Sequence, residues 1–333
     1  MIKGREIRLK SWPKGLPTHD NFEIVDVNLD EPTDGQVLVK NIYMSVDPYM
    51  RGRLRPAKSY AASFKTGSAL SGGSVGLVER SNNPSFAEGS MVLAGNGFRD
   101  YSVSDGADLM PIDPGGLSPS AYLGVMGMPG RTAYVGLLHI GQPKSGETVY
   151  VSAAAGAVGS AVCQIAKIKG CRVVGSAGSE KKIRWLLDVA GVDSAFNHKE
   201  FNNLSRELRR QCPEGVDVYF ENVGGNHLEA AISAMKNFGR IAVCGMISLY
   251  NDETPRPGPS NIAQIIGKRI RMQGFIVSDH PEVADDFTKD MMGWIRDGKV
   301  KWQETVVEGL DHAVDALIGL FEGTNNGKMV VRL

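Results

Sequence analysis

Two glycines at the start of a predicted helix have the spacing that most clearly indicates chemistry. Strand-forming residues 148–152 lead into a turn of small residues, and an apolar pattern with helical spacing then runs over 160–169. Gly156 would let the backbone approach a pyrophosphate, and Gly159 would let the helix pack closely on the strand. The amides at a helix start attract phosphate. The pattern predicts a dinucleotide site, although Ala154 replaces the first glycine of the usual G-x-G-x-x-G and a closely packed helix alone would explain the other two.

The residues after the second predicted strand indicate which dinucleotide would bind. A site for NAD would place Asp or Glu there, about 20 residues after the turn, to bind the ribose hydroxyls. This chain instead has Ser-Ala-Gly-Ser-Glu-Lys-Lys over 176–182. Hydroxyl residues such as Ser179 and a cation favour the 2′-phosphate of NADPH through charge-assisted hydrogen bonds, although Glu180 weakens this reading. We expect Lys182 to bind the phosphate and Lys181 to lie in an exposed helical turn.

Composition narrows the class of protein. The 333 residues suffice for two domains, and 42% hydrophobic with 22% charged residues is ordinary for a globular chain. Lys plus Arg and Asp plus Glu number 37 each, which argues against a nucleic-acid partner. The N-terminus lacks the apolar core of a signal peptide, and no apolar run approaches the ~18 residues of a membrane span. We expect the four cysteines to be reduced thiols of a cytoplasmic protein: Cys163, Cys171, Cys212 and Cys244.

Two patterns of secondary structure divide the chain. Short predicted strands separated by Gly and Pro fill residues 1–122, as in a barrel or sandwich. Strands and helices then alternate over 123–303, which implies a doubly wound parallel sheet. The predicted strands are 148–152, 171–175, 216–221, 240–244 and 270–276, and the predicted helices are 131–138, 160–169, 180–189 and 227–236. Beyond about residue 300 we predict β-type segments, and the final strand, 328–333, is expected to rejoin the first domain. The predicted substrate domain is therefore 1–122 with 304–333, and the nucleotide-binding domain is 123–303.

Two segments are predicted to follow neighbouring strands of this sheet. Residues 221–225 lie at the end of the strand predicted over 216–221, and residues 244–250 lie at the end of the strand predicted over 240–244. In open parallel sheets the ligand crevice lies at the carboxyl ends of the strands. Both segments are therefore expected to face the cofactor, although each is also compatible with an ordinary turn from strand to helix.

Five motifs together resemble one protein family. They are Val-Asp-Pro-Tyr-Met-Arg-Gly over 46–52, the small-residue turn over 153–160, Phe-Glu-Asn-Val-Gly-Gly over 220–225, Cys-Gly-Met-Ile-Ser-Leu-Tyr-Asn over 244–251 and Asn-Asn-Gly-Lys over 325–328. They resemble the zinc-independent medium-chain reductases of the prostaglandin reductase / leukotriene B4 12-hydroxydehydrogenase group, which includes bacterial curcumin reductases and plant 2-alkenal double-bond reductases. The resemblance runs from about residue 20 to the C-terminus.

The resemblance implies a fold and a function. The fold would be α/β, with a GroES-like β-barrel domain and a Rossmann domain built on a doubly wound parallel sheet, usually in a homodimer. The cofactor would be NADPH/NADP+, and the reaction would be reduction of the C=C bond of an α,β-unsaturated ketone or aldehyde.

The resemblance also implies roles for individual residues. Lys182 would hold the 2′-phosphate, and the pyrophosphate would lie against Gly156, Ala157, Val158 and Gly159. The nicotinamide and its ribose would be lined by Asn222, Cys244, Gly245, Met246, Ile247, Ser248, Tyr250, Phe275, Ile276, Val277 and Asn325. Where the family often has Asn-Tyr-Lys, with the tyrosine at the adenosine end, this chain has Asn-His-Lys over 197–199. His198 is then either a pH-dependent cofactor contact or a solvent-facing loop residue.

The sequence predicts reduction without a metal. Cys163 is the first cysteine, and His19 is the only histidine before His139, so no cluster has metal-ligand spacing. A hydrogen-bond donor must then stabilise the enolate oxygen as hydride reaches the β-carbon. Tyr250 is the candidate, because a phenol with its normal pKa of about 10 stays protonated at neutral pH and the family places a tyrosine here. Water could supply the proton to the α-carbon.

Substrate contacts and alternative functions stay open at this point. Tyr49 and Met50 are candidates for the substrate wall, although Tyr49 could equally pack at a domain interface. Arg51 either orients an acidic substrate or is an exposed structural arginine. One alternative function is quinone reduction of the zeta-crystallin type, with the same fold and cofactor. The other is a cofactor-binding protein without turnover.

Overall fold

The computed structural model describes residues 1–333, which divide into two compact units. Unit 1 comprises Met1–Leu123 and Glu304–Leu333, and unit 2 comprises Gly124–Gln303. The first junction lies one residue beyond the expected one. No helix in either unit combines the length and the apolar character needed to cross a membrane.

The strands and helices follow one another along the whole chain. The strands are β1 (Ile2–Leu9), β2 (Phe22–Leu29), β3 (Val37–Ser45), β4 (Ser74–Ser81), β5 (Met91–Ala94), β6 (Tyr101–Ser104), β7 (Met110–Ile112), β8 (Thr148–Val151), β9 (Arg172–Ala177), β10 (Ser194–Asn197), β11 (Val216–Glu221), β12 (Met235–Val243), β13 (Arg271–Gly274), β14 (Glu304–Glu308) and β15 (Lys328–Arg332). The helices are α1 (Met50–Arg53), α2 (Met128–Tyr134), α3 (Ala157–Ile168), α4 (Glu180–Asp188), α5 (Leu204–Gln211), α6 (Gly225–Ala234), α7 (Gln264–Lys268), α8 (Ala284–Arg296) and α9 (Ala313–Glu322).

Unit 1 is built on a seven-stranded sheet in the order β14-β15-β3-β4-β5-β7, with β6 paired to β3 and a separate β1–β2 hairpin. Alternate residues of β3, such as Val37 and Val39, join Val78 and Val92 in one buried cluster, as expected for a half-buried strand. The last strand, β15, pairs antiparallel with β3, so the C-terminal segment lies in this unit. The expectation of β-type segments throughout this segment is wrong over 313–322, because α9 lies between β14 and β15.

Unit 2 contains a six-stranded, entirely parallel sheet in the order β10-β9-β8-β11-β12-β13. The predicted doubly wound sheet is therefore confirmed. Successive strands are added on one side from β8 to β10 and on the other side from β11 to β13, so the strand order reverses between β8 and β11. Ligands bind such sheets in the crevice outside the carboxyl ends of the strands at this point. A ligand is therefore expected at the turns after β8, β9, β11 and β12.

Several elements of unit 2 differ from the sequence expectation. Both β10 and α5 lie in a stretch for which no element was predicted, and α7 and α8 were also missed. The helix expected over 227–236 ends at Ala234, and β12 begins at the next residue, five residues earlier than expected. The helix expected over 131–138 is α2 followed by a π-helical segment, Val135–Gly141.

Candidate active site

The turn between β8 and α3 meets two different backbone requirements. Ala153 has a left-handed conformation with φ of 46°, and its carbonyl accepts a hydrogen bond from the Gly156 amide at 3.0 Å. A Cβ atom on Gly159 would lie 2.4 Å from that carbonyl oxygen, so α3 can pack this closely only on glycine. A Cβ atom on Gly156 would meet nothing nearer than 3.2 Å. The close packing of α3 on this turn therefore requires glycine at 159, and the fold leaves the Gly156 side open to a ligand.

Two basic side chains lie against Gly178, just beyond the end of β9, and a third, Lys182, lies near them. A Cβ atom on Gly178 would lie 3.2 Å from Lys199 Cε and 3.3 Å from His198 Cε1. Burial, and after it the charge of Lys199, lowers the pKa of Lys182, which places the two lysines near one another. Lys181, by contrast, is exposed. Lys182, His198 and Lys199 are called the cationic cluster below.

Lys199 is the member of this cluster that the sequence did not single out. It was visible only as the third letter of the Asn-His-Lys motif. It approaches Lys182 because β10 pairs in parallel with β9, with Asn197 opposite Ala177.

Ser179 and Glu180 stand at the entrance to α4. The Ser179 hydroxyl caps the helix by accepting the Lys182 amide at 3.4 Å. Because a hydroxyl that accepts one hydrogen bond can still donate another, this cap is compatible with the expected contact to a phosphate. Glu180, the acid that weakened the prediction, is exposed.

A buried chain of polar groups supports the ring of His198. The His198 and His227 rings meet edge to face with their centroids 4.8 Å apart. His227 Nδ1 lies 3.1 Å from the Tyr150 hydroxyl, which lies 2.9 Å from Ser176 Oγ. Burial, followed by the charge of His198, lowers the pKa of His227 to about 3, so this second ring stays neutral near neutral pH. His198 is therefore packed against unit 2 and is not the solvent-facing loop residue of the alternative reading.

At the same edge of the sheet, beyond the point where the strand order reverses, the loops after β11 and β12 are joined by backbone hydrogen bonds. The Asn222 carbonyl accepts the Ile247 amide at 3.1 Å. The Val223 carbonyl accepts both the amide of Ser248 at 3.0 Å and its hydroxyl at 2.6 Å. The two segments expected to face a cofactor therefore lie side by side.

Asn222 is held across the point where the strand order reverses. Its side-chain Nδ2 donates to the Ser152 carbonyl at 2.8 Å, and its backbone amide donates to Ser152 Oγ at 3.0 Å. Because Ser152 directly follows β8, these bonds fix the orientation of the Asn222 side chain. Both bonds use nitrogen donors and leave the side-chain oxygen as an acceptor for a ligand.

Glu221 is fully buried beneath this loop. Its Oε1 accepts from the Tyr219 hydroxyl at 2.7 Å and from the Val223 and Gly224 amides at 2.6 and 2.8 Å. Burial raises the pKa of Glu221, and the two amides oppose that shift. The carboxyl group thus shapes the backbone on both sides of Asn222, a supporting role that the sequence motif did not reveal.

The Tyr250 hydroxyl folds back onto its own segment. It accepts the Met246 amide at 3.4 Å, and a Cβ atom on Gly245 would lie 2.9 Å from the hydroxyl oxygen. A larger residue at position 245 would displace the Tyr250 hydroxyl, so glycine is needed there. A phenol that accepts from the backbone can donate its own proton elsewhere. Burial, followed by the charge of Glu221, raises the pKa of Cys244 to about 12, so its thiol stays protonated and is not a nucleophile.

Phe275, Ile276 and Val277 follow β13. The Phe275 ring lies edge to face with Phe220 at 6.3 Å between centroids, and a Cβ atom on Gly136 would be 2.4 Å from Phe275 Cζ. This ring therefore serves packing, and Val277 begins a short 3-10 turn, Val277–Asp279. The expected contacts of these three residues with a nicotinamide stay predictions.

The remaining candidates lie in unit 1. Tyr49 is half-buried, and burial, followed by the charge of Asp47, raises its pKa to about 12. Met50 is buried. Arg51 is 1% exposed and donates from Nη2 to the Gly15 carbonyl at 2.7 Å, so the expectation of an exposed arginine is wrong. Asn325 donates from Nδ2 to the Gly327 carbonyl at 2.8 Å. Roles of these residues in substrate or cofactor binding stay predictions.

The side chains of unit 2 suit a 2′-phosphorylated dinucleotide. The first amides of α3, those of Ala157 and Val158, have no partner within the helix and stand where the Gly156 side is open. The cationic cluster lies at the end of β9, where an NAD site would place an acid, and a buried His198 Nδ1 has no hydrogen-bond partner there. No group of three or more His, Cys, Asp or Glu side chains is placed to hold a metal ion.

Comparison with known proteins covers almost the whole chain. Residues 5–112 match the family model described as the N-terminal domain of oxidoreductase, and residues 157–296 match the one described as zinc-binding dehydrogenase. The NADPH-dependent curcumin reductase of Escherichia coli is 42% identical, and the NADP(+)-dependent 2-alkenal reductase of Nicotiana tabacum is 45% identical. In each case the match spans 99% of this chain and 97% of the relative.

Solved structures of similar proteins show the same relationship. CurA of Vibrio vulnificus in complex with NADPH has a TM-score of 0.94 at 45% identity, over 98% of both chains. A quinone oxidoreductase of Pseudomonas syringae shares the fold alone, with a TM-score of 0.76 at 21% identity over 99% of this chain. The predicted fold class, a GroES-like domain with a Rossmann domain, is confirmed. The chain therefore belongs to the medium-chain dehydrogenase/reductase family, in the zinc-independent group of curcumin reductase, 2-alkenal reductase and prostaglandin reductase 1.

Proposed function

We propose that this protein is an NADPH-dependent oxidoreductase that reduces the C=C bond of α,β-unsaturated ketones and aldehydes. The observation that carries the proposal is the Tyr250 hydroxyl, seated against Gly245 at the carboxyl end of β12. The cationic cluster at the end of β9 supports NADPH over NADH, because two lysines stand where an acid would bind the ribose hydroxyls.

The reaction divides between cofactor and protein. When bound, NADPH supplies a hydride. The substrate accepts that hydride at its β-carbon and a proton from water at its α-carbon, so enone, NADPH and H⁺ give the saturated carbonyl compound and NADP+. As negative charge develops on the substrate oxygen, the Tyr250 phenol donates a hydrogen bond to it. Asn222, held by Ser152, orients the nicotinamide end of the site.

Other contacts belong to the same proposal. The pyrophosphate is bound by the amides from Gly156 to Gly159, and the 2′-phosphate by Ser179, Lys182 and His198. The nicotinamide and its ribose are bound by residues 244–248, 275–277 and Asn325. Tyr49, Met50 and Arg51 contact the substrate, with unit 1 as the substrate domain and unit 2 as the nucleotide-binding domain. The protein works in the cytoplasm, which its four free cysteines support.

A substrate panel tests the function. Purified protein is incubated with NADPH or NADH and with 3-nonen-2-one, a 2-alkenal or a 1,4-benzoquinone, and the products are identified. We expect NADPH oxidation with the enone and the enal, and saturated carbonyl products. Faster turnover of the quinone would favour the zeta-crystallin-type function, and tight NADPH binding without turnover of any acceptor would favour a binding protein.

We also propose that the protein forms a homodimer through the edge of the unit 2 sheet. All four residues of β13 are exposed, although the strand has hydrogen-bonding groups left on its outer edge. Nearby, Ile266 is 80% exposed and Met272 is 40% exposed. Light scattering gives the molar mass in solution, and replacing Met272 with Lys should shift the mass toward the monomer. A monomeric parent protein would exclude this assembly.

A further inference from the structure

We propose that His198 makes the preference for a 2′-phosphorylated nucleotide depend on pH, because its protonation adds a third positive charge to the cationic cluster. The inference rests on the proposed function, since it takes the 2′-phosphate of NADPH as the ligand of this cluster. It concerns selectivity, a property separate from the reduction itself.

The geometry places the His198 ring inside the cluster. A Cβ atom on Gly178 would lie 3.3 Å from His198 Cε1 and 3.2 Å from Lys199 Cε, so the ring and the lysine side chain approach the same point. His198 Nδ1 is buried and has no hydrogen-bond partner. The ring does not have to touch the ligand to act on it, because a positive charge placed beside the two lysines attracts a phosphate through the Coulomb interaction.

The ring is also held from behind. His227, on α6, packs edge to face on His198 and is tied through Tyr150 to Ser176 of β9. The Ser176 carbonyl accepts the Ala154 amide at 2.9 Å, so the same strand supports the pyrophosphate turn. Because the pKa of His227 is lowered to about 3, only His198 of this pair can change charge in the mildly acidic range.

Each element packed on His198 contributes a group that acts on its charge. Burial lowers the pKa of His198, the Ala177 carbonyl at the end of β9 opposes the shift, and the charges of Lys199 and of Lys182 on α4 lower it further. A 2′-phosphate carries between one and two negative charges and reverses the effect of the lysines. Binding therefore raises the pKa of His198.

The sign of the pH dependence follows. The gain in affinity is fully present below the pKa of His198 in the free protein and is lost as pH rises through its higher pKa in the complex. Each unit by which binding raises that pKa corresponds to about a tenfold gain in affinity. A tyrosine at this position, with its pKa of about 10, would stay neutral over the same range.

Calorimetric binding of 2′,5′-ADP and of 5′-AMP, which lacks the 2′-phosphate, tests the inference without turnover. Because the phosphate itself titrates near pH 6, the parent protein and the His198→Gln variant are compared at each pH. From about pH 8 to about pH 5.5 we expect the parent-to-variant affinity ratio for 2′,5′-ADP to grow about tenfold. The ratio for 5′-AMP should not change.

Two further variants keep the test decisive. His198→Tyr, which restores the residue common in the family, should bind 2′,5′-ADP without the acid-side gain. Lys199→Met should bind 2′,5′-ADP more weakly at every pH, and its affinity should still rise toward acid pH as in the parent protein. If 2′,5′-ADP binds better than 5′-AMP with equal pH dependence in parent and variants, the inference fails and the reductase stands. If 2′,5′-ADP has no advantage at any pH, the inference fails together with the NADPH assignment.

Discussion

The two ends of the candidate site in unit 2 are built from different interactions. At the end of β9, Lys182, His198 and Lys199 bring charge together, and burial, followed by the charge of Lys199, lowers the pKa of Lys182. At the ends of β11 and β12, backbone hydrogen bonds hold Asn222 and the loop that carries Tyr250, and the one carboxyl group is buried below them.

Recognition of the cofactor and stabilisation of the reacting substrate are therefore separable in this protein. A cationic cluster discriminates between ligands by charge, and half-exposed charges remain partly screened by water. A neutral donor held by glycine and backbone geometry acts instead on charge that develops during the reaction. Substitutions at one end should therefore leave the function of the other intact.

The largest effect is expected at the reducing end. Tyr250→Phe removes the donor to the substrate oxygen and keeps the ring, so kcat should fall about 10²-fold while the Kd for NADPH stays unchanged. Steady-state kinetics and NADPH fluorescence titration measure the two quantities. An unchanged kcat would remove Tyr250 from the mechanism, and a parallel loss of binding would show that the ends are not separable.

A smaller and opposite pattern is expected at the cationic end. Lys182→Met removes a charge-assisted bond worth about 1.5–3 kcal/mol, part of which water already screens. The Kd for NADPH should rise about tenfold, with NADH binding and kcat unchanged. Lys181→Met is the matched control, because Lys181 is exposed on the same turn of α4. Equal weakening of NADPH and NADH would contradict the charge-based reading.

The smallest effect tests how the phenol is placed. The added methyl group in Gly245→Ala would lie 2.9 Å from the Tyr250 hydroxyl and displace it. We expect kcat to fall about threefold to tenfold, since misplacement of a donor costs part of its contribution. Gly258→Ala is the control, because a Cβ atom there meets nothing within 4 Å. If both variants keep the parent kcat, glycine at 245 does not place Tyr250.

Local patterns in the sequence predicted much of this architecture. The β8–turn–α3 unit is recognisable because alternation, small residues and helical spacing all lie within about 20 consecutive residues. The parallel sheet and the two loops that follow β11 and β12 were predicted for the same reason. The signal for α9 was also present, since Ala313, Val314, Leu317 and Leu320 have helical spacing and are buried, but its place between two strands hid it.

Features that depend on contacts between distant parts of the chain could not be predicted from the sequence. Lys199 joins Lys182 only through the register of β10 against β9. The closeness of Gly245 to the Tyr250 hydroxyl depends on how the loop after β12 turns back on itself. The sequence showed Glu221 as an ordinary charged residue, and only the fold shows it buried with several donors on one oxygen.

Delivery of hydride to a carbon–carbon double bond distinguishes the proposed reaction from reduction of the carbonyl group. NADPH that carries deuterium at both C4 positions of the nicotinamide is used to reduce 3-nonen-2-one, and the product is analysed by NMR. We expect 2-nonanone with one deuterium on the former β-carbon, a solvent-derived hydrogen on the α-carbon and an intact carbonyl group. Deuterium on the carbonyl carbon of an allylic alcohol would contradict the account.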